Sequence, residues 1–243
     1  AEGRALRQAV SLATDLAEQN EAFYQGINLV YDGPIPPGMD GHPENGRGPV
    51  SFRGADIERA KAKLVEAGWP GGKNAAGEQL TIRYYTSNSG LNQRLAEMWK
   101  RQLSRVGIDL DPVLVDFSTL IENVNNKKAQ SFGFAWGSDY PDAENDLALF
   151  YGPNEAPGSN SFNYKNPEYD ALYEKIVPME PGSERTRLYE QMRDMLITDA
   201  PFVGSMARTR FYLMAPWVLN CRPTERTWTW FKYLDVDVSK QGR

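Results

Sequence analysis

Leu80, Ile82 and Tyr84 alternate along the chain, an apolar stripe of Leu91, Leu95, Met98, Trp99, Leu103 and Val106 follows, and Ile108 to Val115 is a second extended run. Period-2 spacing marks a strand and a three-to-four-residue spacing marks an amphipathic helix. Strand, helix and strand with a crossover of this length form a right-handed unit whose two strands lie parallel. That points to an α/β fold. Pro112 inside the second strand predicts a sheet edge or a bulge, because proline offers no N–H to a neighbour.

The flanks supply the remaining elements. Leu6, Val10, Ala13 and Ala17 predict one helix near the start. Residues 32–54 hold Pro34, Pro36, Pro37, Pro43 and Pro49 with six glycines, so they run as an irregular surface segment that is either functional or packed on something. Ile57, Ala60, Leu64 and Val65 share a helical face, with Asp56 as N-cap and Gly68 then Pro70 as the stop. Further helices are expected from about Ser118 to Asn126, from Asn166-Pro167-Glu168 through Ile176, and from Ser183 to Asp199. Phe202–Met206 and Arg210–Met214 are expected to pair as strands, and the tail from Pro216 is rich in tryptophan with little periodicity.

Composition removes several functions. The net charge of -5 and scattered Lys and Arg give no basic footprint for nucleic acid. No apolar run approaches the ~18 residues needed to span a bilayer. One histidine, His42, reads as a solvated loop residue, and one cysteine, Cys221, cannot close an internal disulfide. With so few His and Cys, and with no Gly-x-Gly-x-x-Gly, Walker A, Gly-x-Ser-x-Gly or His-Glu-x-x-His pattern, no metal, cofactor or catalytic triad is expected.

The segment from Phe132 to Asp142 is the candidate site. Phe132, Phe134 and Trp136 alternate with small residues as a buried strand would, and Gly137 and Tyr140-Pro141-Asp142 are turn chemistry. Asp139 therefore falls just past a strand end, where open α/β sheets place ligand crevices. Two roles are open to it, ligand contact or cap of a following turn, and two to Trp136, ligand contact or core. Tyr140 and Asn160 are further candidates for the cleft. Asp142, Glu144 and Asp146 read as a solvated acidic turn, with calcium an alternative that their spacing does not favour. Asp139 with Asp142 or Glu144 could also be the paired carboxylates of a glycoside hydrolase. A stand-alone interaction domain would instead use the Pro/Gly loop and the surface around Trp217, Trp228 and Trp230.

Five segments in order resemble the C-terminal part of the family 5 solute-binding proteins of bacterial ABC importers, the dipeptide and oligopeptide binders. They are Leu6 to Asp15, Gly33-Pro34-Ile35-Pro36-Pro37-Gly38, Asp56 to Pro70, Ala135 to Asp142, and Asn163 to Asp170. Ala135, Leu16 and Ala143-Glu144 depart from the usual pattern. The resemblance implies an α/β, periplasmic-binding-protein-like lobe with a mixed sheet and helices on both faces over about residues 1–215, and a tail, 216–243, that returns to an N-terminal lobe upstream. It implies a periplasmic, monomeric, non-enzymatic carrier that clamps a small ligand between two lobes and delivers it to a membrane permease. Asp139 then matches an acid that pairs with a peptide's free α-amino group, Trp136 an aromatic beside it, and Gly137 and Ser138 a backbone that hydrogen-bonds the peptide, with Tyr140 alongside. Peptide, opine, sugar, nickel chelate and siderophore all remain open as ligands.

Overall fold

The computed structural model describes residues 2–223 and 229–240, and the chain runs through α1 (Glu2–Ala13), α2 (Leu16–Tyr24), β1 (Leu29–Tyr31), α3 (Ile57–Glu66), β2 (Thr81–Ser87), α4 (Gly90–Ser104) and β3 (Asp109–Val115). There follow α5 (Phe117–Asn125), β4 (Ser131–Phe132), α6 (Ala143–Leu147), α7 (Pro167–Ile176), α8 (Ser183–Asp199), β5 (Ser205–Ala207), β6 (Val218–Leu219) and β7 (Asp235–Val236). Residues 1–207 form one unit and residues 208–243 a second.

The βαβ unit is present as expected. β2 and β3 pair in parallel from Thr81 opposite Asp109 to Ser87 opposite Val115, and β4 joins the other side of β2 in parallel, giving the order β3-β2-β4. The chain thus moves from β2 to β3 in one direction and from β3 to β4 in the other. Two right-handed crossovers of opposite direction put α4 and α5 on opposite faces. The first face packs Leu80, Ile82, Tyr84, Ile108 and Leu110 against apolar residues of α1, α3 and α4, notably Leu12, Leu64 and Leu103. Pro112 lies on an edge strand: Asp109 N–H donates to Leu80 O and Asn88 N–H to Val115 O, so odd-numbered residues of β3 face β2 and Pro112 turns to the free edge.

Three expectations are corrected. The helix over Leu6 to Ala17 is two helices, because the Asp15 carboxylate accepts the Ala17 and Glu18 amides at 2.9 and 3.0 Å and starts α2 afresh. Arg210–Met214 forms no strand; β5 pairs antiparallel with β1 instead, Leu29 opposite Ala207, and Ser205 Oγ donates to Gly33 O at 2.7 Å. Parallel and antiparallel strands therefore both occur, in separate sheets. His42 is packed rather than solvated, with Nδ1 2.8 Å from Ile35 O and its ring edge-on to Tyr31.

The proline-rich segment packs on α8. Ile35 is fully buried in a second core with Leu147, Phe150, Tyr169, Met192 and Leu196, and Arg193 Nη1 donates to Gly41 O at 2.6 Å. α8 serves both cores, since Leu196 belongs to the second and Ile197 to the first. Arg7 of α1 donates to the last carbonyls of α8, Asp199 O and Ala200 O, satisfying acceptors that the helix leaves open. In the second unit, β6 and β7 form an antiparallel pair, while Trp228 lies outside the described residues. No helix among the described residues is long and apolar enough to cross a membrane.

The chain enters β2 and β3 through two glycines at positive φ that meet back to back. A Cβ on Gly72 would lie 1.8 Å from Gly107 O. Gly72→Ala is expected to cost more than about 2 kcal/mol, read as a lowered urea midpoint with an unchanged m-value.

Candidate functional site

The C-terminal edge of the parallel sheet gathers three connections: residues 88–89 after β2, residue 116 after β3, and residues 133–142 after β4. The last is the expected site, but it leaves the sheet early. Gly133 N–H makes the final ladder bond, to Tyr85 O at 3.1 Å, and a Cβ on Gly133 would meet Tyr84 Oη at 2.2 Å. Burial, partly offset by a hydrogen bond with Thr86, pushes the Tyr84 phenol up to about 12, so a neutral hydroxyl occupies that spot. The buried strand expected through Trp136 thus ends at Phe132. Phe134 and Trp136 emerge 42% and 49% exposed, and the core role for Trp136 does not hold.

Downstream, the loop is tied to α6 through side chains. Trp136 Nε1 donates to Asn145 Oδ1 at 3.2 Å, and the Asp139 amide donates to the same oxygen at 3.0 Å. Ser138 Oγ donates to both carboxylate oxygens of Asp146, at 3.0 and 2.8 Å. Gly137 is exposed, with open space where a side chain would point. Asp139 is exposed, and among the described residues no donor or cation pairs with its carboxylate. The capping role open to it belongs to Asp142, whose side chain accepts the Glu144 amide at 3.0 Å.

The acidic turn is not a solvated one. Asp142 accepts Arg185 Nη1 and Tyr189 Oη, each at 2.6 Å. Glu144 accepts the hydroxyls of Tyr140 and Tyr173, and Asp146 is buried on Ser138. Each carboxylate is committed to a different partner, and among the described residues no group of three or more His, Cys, Asp or Glu is placed to hold a metal. Asn160 lines nothing: fully buried, it donates to Tyr151 O and Tyr164 O and fastens its own loop. Sequence reasoning missed Arg185, Tyr189, Tyr173 and Asn145. The four-residue spacing of Arg185 and Tyr189, one turn apart on a helix, was the available signal, and the guanidinium lies 5.2 Å from the Tyr189 ring centre.

Electrostatics distinguish the acids. Burial opposes ionisation of Asp142, but hydrogen bonds from Tyr189, from the Glu144 amide and from Arg185 outweigh it and hold the carboxyl below its ordinary value. A general acid for glycoside cleavage needs the opposite shift, so Asp142 is unsuited to that role.

The fold is an α/β unit with an exposed aromatic loop at the C-terminal edge of its parallel sheet. Residues 3–158 match the family model described as bacterial extracellular solute-binding proteins, family 5 middle, and the chain belongs to that family. It is 27% identical over 212 residues to heme-binding protein A of Haemophilus influenzae, covering 87% of this chain and 38% of that protein. It is 26% identical over 198 residues to the dipeptide-binding protein of Escherichia coli, covering 81% of this chain and 36% of that one. The periplasmic binding protein DppA of Helicobacter pylori, solved with the peptide STSA, superposes with a TM-score of 0.73 at 21% identity over 84% of this chain and 39% of its own, a likeness of fold alone. The chain thus spans well under half the length of the curated relatives it matches.

Because the folded Asp142 titrates below its unfolded value, its contribution is present above about pH 4 and is lost as pH falls through the folded value. Asp142→Asn keeps an oxygen for the cap but removes the charge facing Arg185. It is expected to lose about 1–2 kcal/mol at neutral pH, discounted for residual solvent access, and to show a shallower loss of stability on acidification in urea titrations between about pH 6 and 3.

Proposed function

We propose that this chain forms one gripping lobe of an extracytoplasmic solute-binding protein that closes with a second lobe over a short peptide and passes it to the permease of an ABC importer. The observation that carries the reading is the exposed Asp139 carboxylate, which pairs with none of the described residues and whose main-chain N–H shares Asn145 Oδ1 with the indole of exposed Trp136, on the loop that leaves the C-terminal edge of a parallel sheet. Every neighbouring carboxylate in the turn is already engaged.

A peptide's α-ammonium fits this place. In a closed, water-poor cleft a charge-assisted hydrogen bond to Asp139 contributes about 1.5–3 kcal/mol, against about 0–1 for an exposed pair. The Trp136 face adds a cation–π contact, the backbone at Gly137 and Ser138 offers strand-like hydrogen bonds, and the Tyr140 ring borders the site. No bond is made or broken, so the protein is a carrier and not an enzyme. In this reading residues 1–215 are the lobe, residues 216–243 return towards the other lobe, and the whole is a periplasmic monomer. The dipeptide-binding relative supports the ligand class.

Calorimetry on the full-length gene product, with trialanine and N-acetyl-trialanine as probes, tests the anchor. Asp139→Asn is expected to weaken trialanine binding about 10–100-fold and to leave the acetylated peptide's already poor binding unchanged. Equal affinity of the unmodified protein for both peptides would remove the amine anchor. A tetrapyrrole in place of a peptide among co-purifying ligands, seen by native mass spectrometry, would overturn the peptide reading.

A further inference from the structure

The loop from Phe134 to Pro141 has no ladder of its own. Among the described residues none of its amides donates to a backbone carbonyl. Its shape rests on side-chain hydrogen bonds to three successive residues of α6, Glu144, Asn145 and Asp146. Asn145 is 9% exposed, and its single Oδ1 accepts both the Trp136 indole N–H at 3.2 Å and the Asp139 main-chain N–H at 3.0 Å. One amide therefore touches two of the five residues assigned to the ligand.

We propose that Asn145 is a positioning residue, whose forked acceptor fixes the Trp136 ring and the Asp139 main chain at the spacing one bound ammonium group requires. The inference rests on the binding role proposed above for Trp136 and Asp139, and Asn145 itself contacts no ligand. An oxygen shared by two donors sets their separation as well as their direction. Either donor freed would let the indole rotate or the Asp139 peptide tilt, since no ladder bond restrains them. α6 is a firm base for this, because Asp142 at its start is held by Arg185 and Tyr189 of α8.

The test pairs a spectroscopic readout with affinity. In 15N-labelled full-length protein, Asn145→Leu is expected to shift the Trp136 indole and Asp139 amide resonances and to speed their hydrogen exchange, while the amides of Leu64 and Met192 in the two cores stay protected. Trialanine affinity is expected to fall about tenfold, the worth of one hydrogen bond. Asn145→Asp, which keeps an acceptor oxygen, is expected to restore the indole signal. Should Asn145→Leu fail to fold, Asn145→Ser, too short to reach either donor, takes its place with the same expected shifts.

Unchanged indole and Asp139 resonances in the variant would overturn the proposal. So would shifted resonances with undiminished affinity, provided that Trp136→Ala and Asp139→Asn do weaken binding. If those two substitutions leave affinity intact, it is the binding role of the loop that fails, and the resonances still report whether the fork exists.

Discussion

The Asp142 carboxylate accepts a guanidinium and a phenol from successive turns of α8 while its own side chain starts α6. A partly buried carboxylate with three donors is costly to move, because any displacement strands Arg185, itself nearly buried, without a counter-charge. α8 in turn is the wall shared by both cores, and its C-terminus is held by Arg7 of α1. Loop position is thereby referred, through a short chain of contacts, to the helix that both cores share. The parallel sheet sets where the loop begins, and this ion pair sets where it ends.

Between those fixed points the loop exposes aromatic surface without being slack. Trp136 is half exposed, yet its indole N–H is already bonded, and the Ser138 hydroxyl is held by a buried carboxylate. Side chains ordered before a ligand arrives lower the entropic cost of association. Asp139 is the exception, held at its main-chain N–H while its side chain pairs with none of the described residues. That combination is what the role proposed for Asp139 requires.

Elements whose evidence is local were legible in the sequence. Asp56 and Asn166 cap their helices as read, because a cap is decided within four residues, and the βαβ unit follows from two periodicities that tertiary context did not override. Failures came where a distant or smaller group decided the outcome. Asp15 interrupts an apolar stripe that looks continuous, since the stripe carries no information about which carboxylate will cap. The alternation Phe132, Phe134, Trp136 looks like a strand, but Tyr84, almost fifty residues earlier, fills the space at Gly133. The acidic turn looks solvated only because Arg185 and Tyr189 lie some forty residues further on. Asp139 was legible as a position past a strand end; its want of a partner was not, because that depends on what every neighbour has found instead.

Pro112 has an effect beyond its own strand. β3 borders the sheet, and the backbone groups it turns outward would offer a row of donors and acceptors to any extended peptide. Proline deletes a donor in the middle of that row and sets a ring where an incoming chain would have to lie. The sheet thus has a flank that refuses extended chains, and two such molecules meeting along it find no continuous seam by which to join.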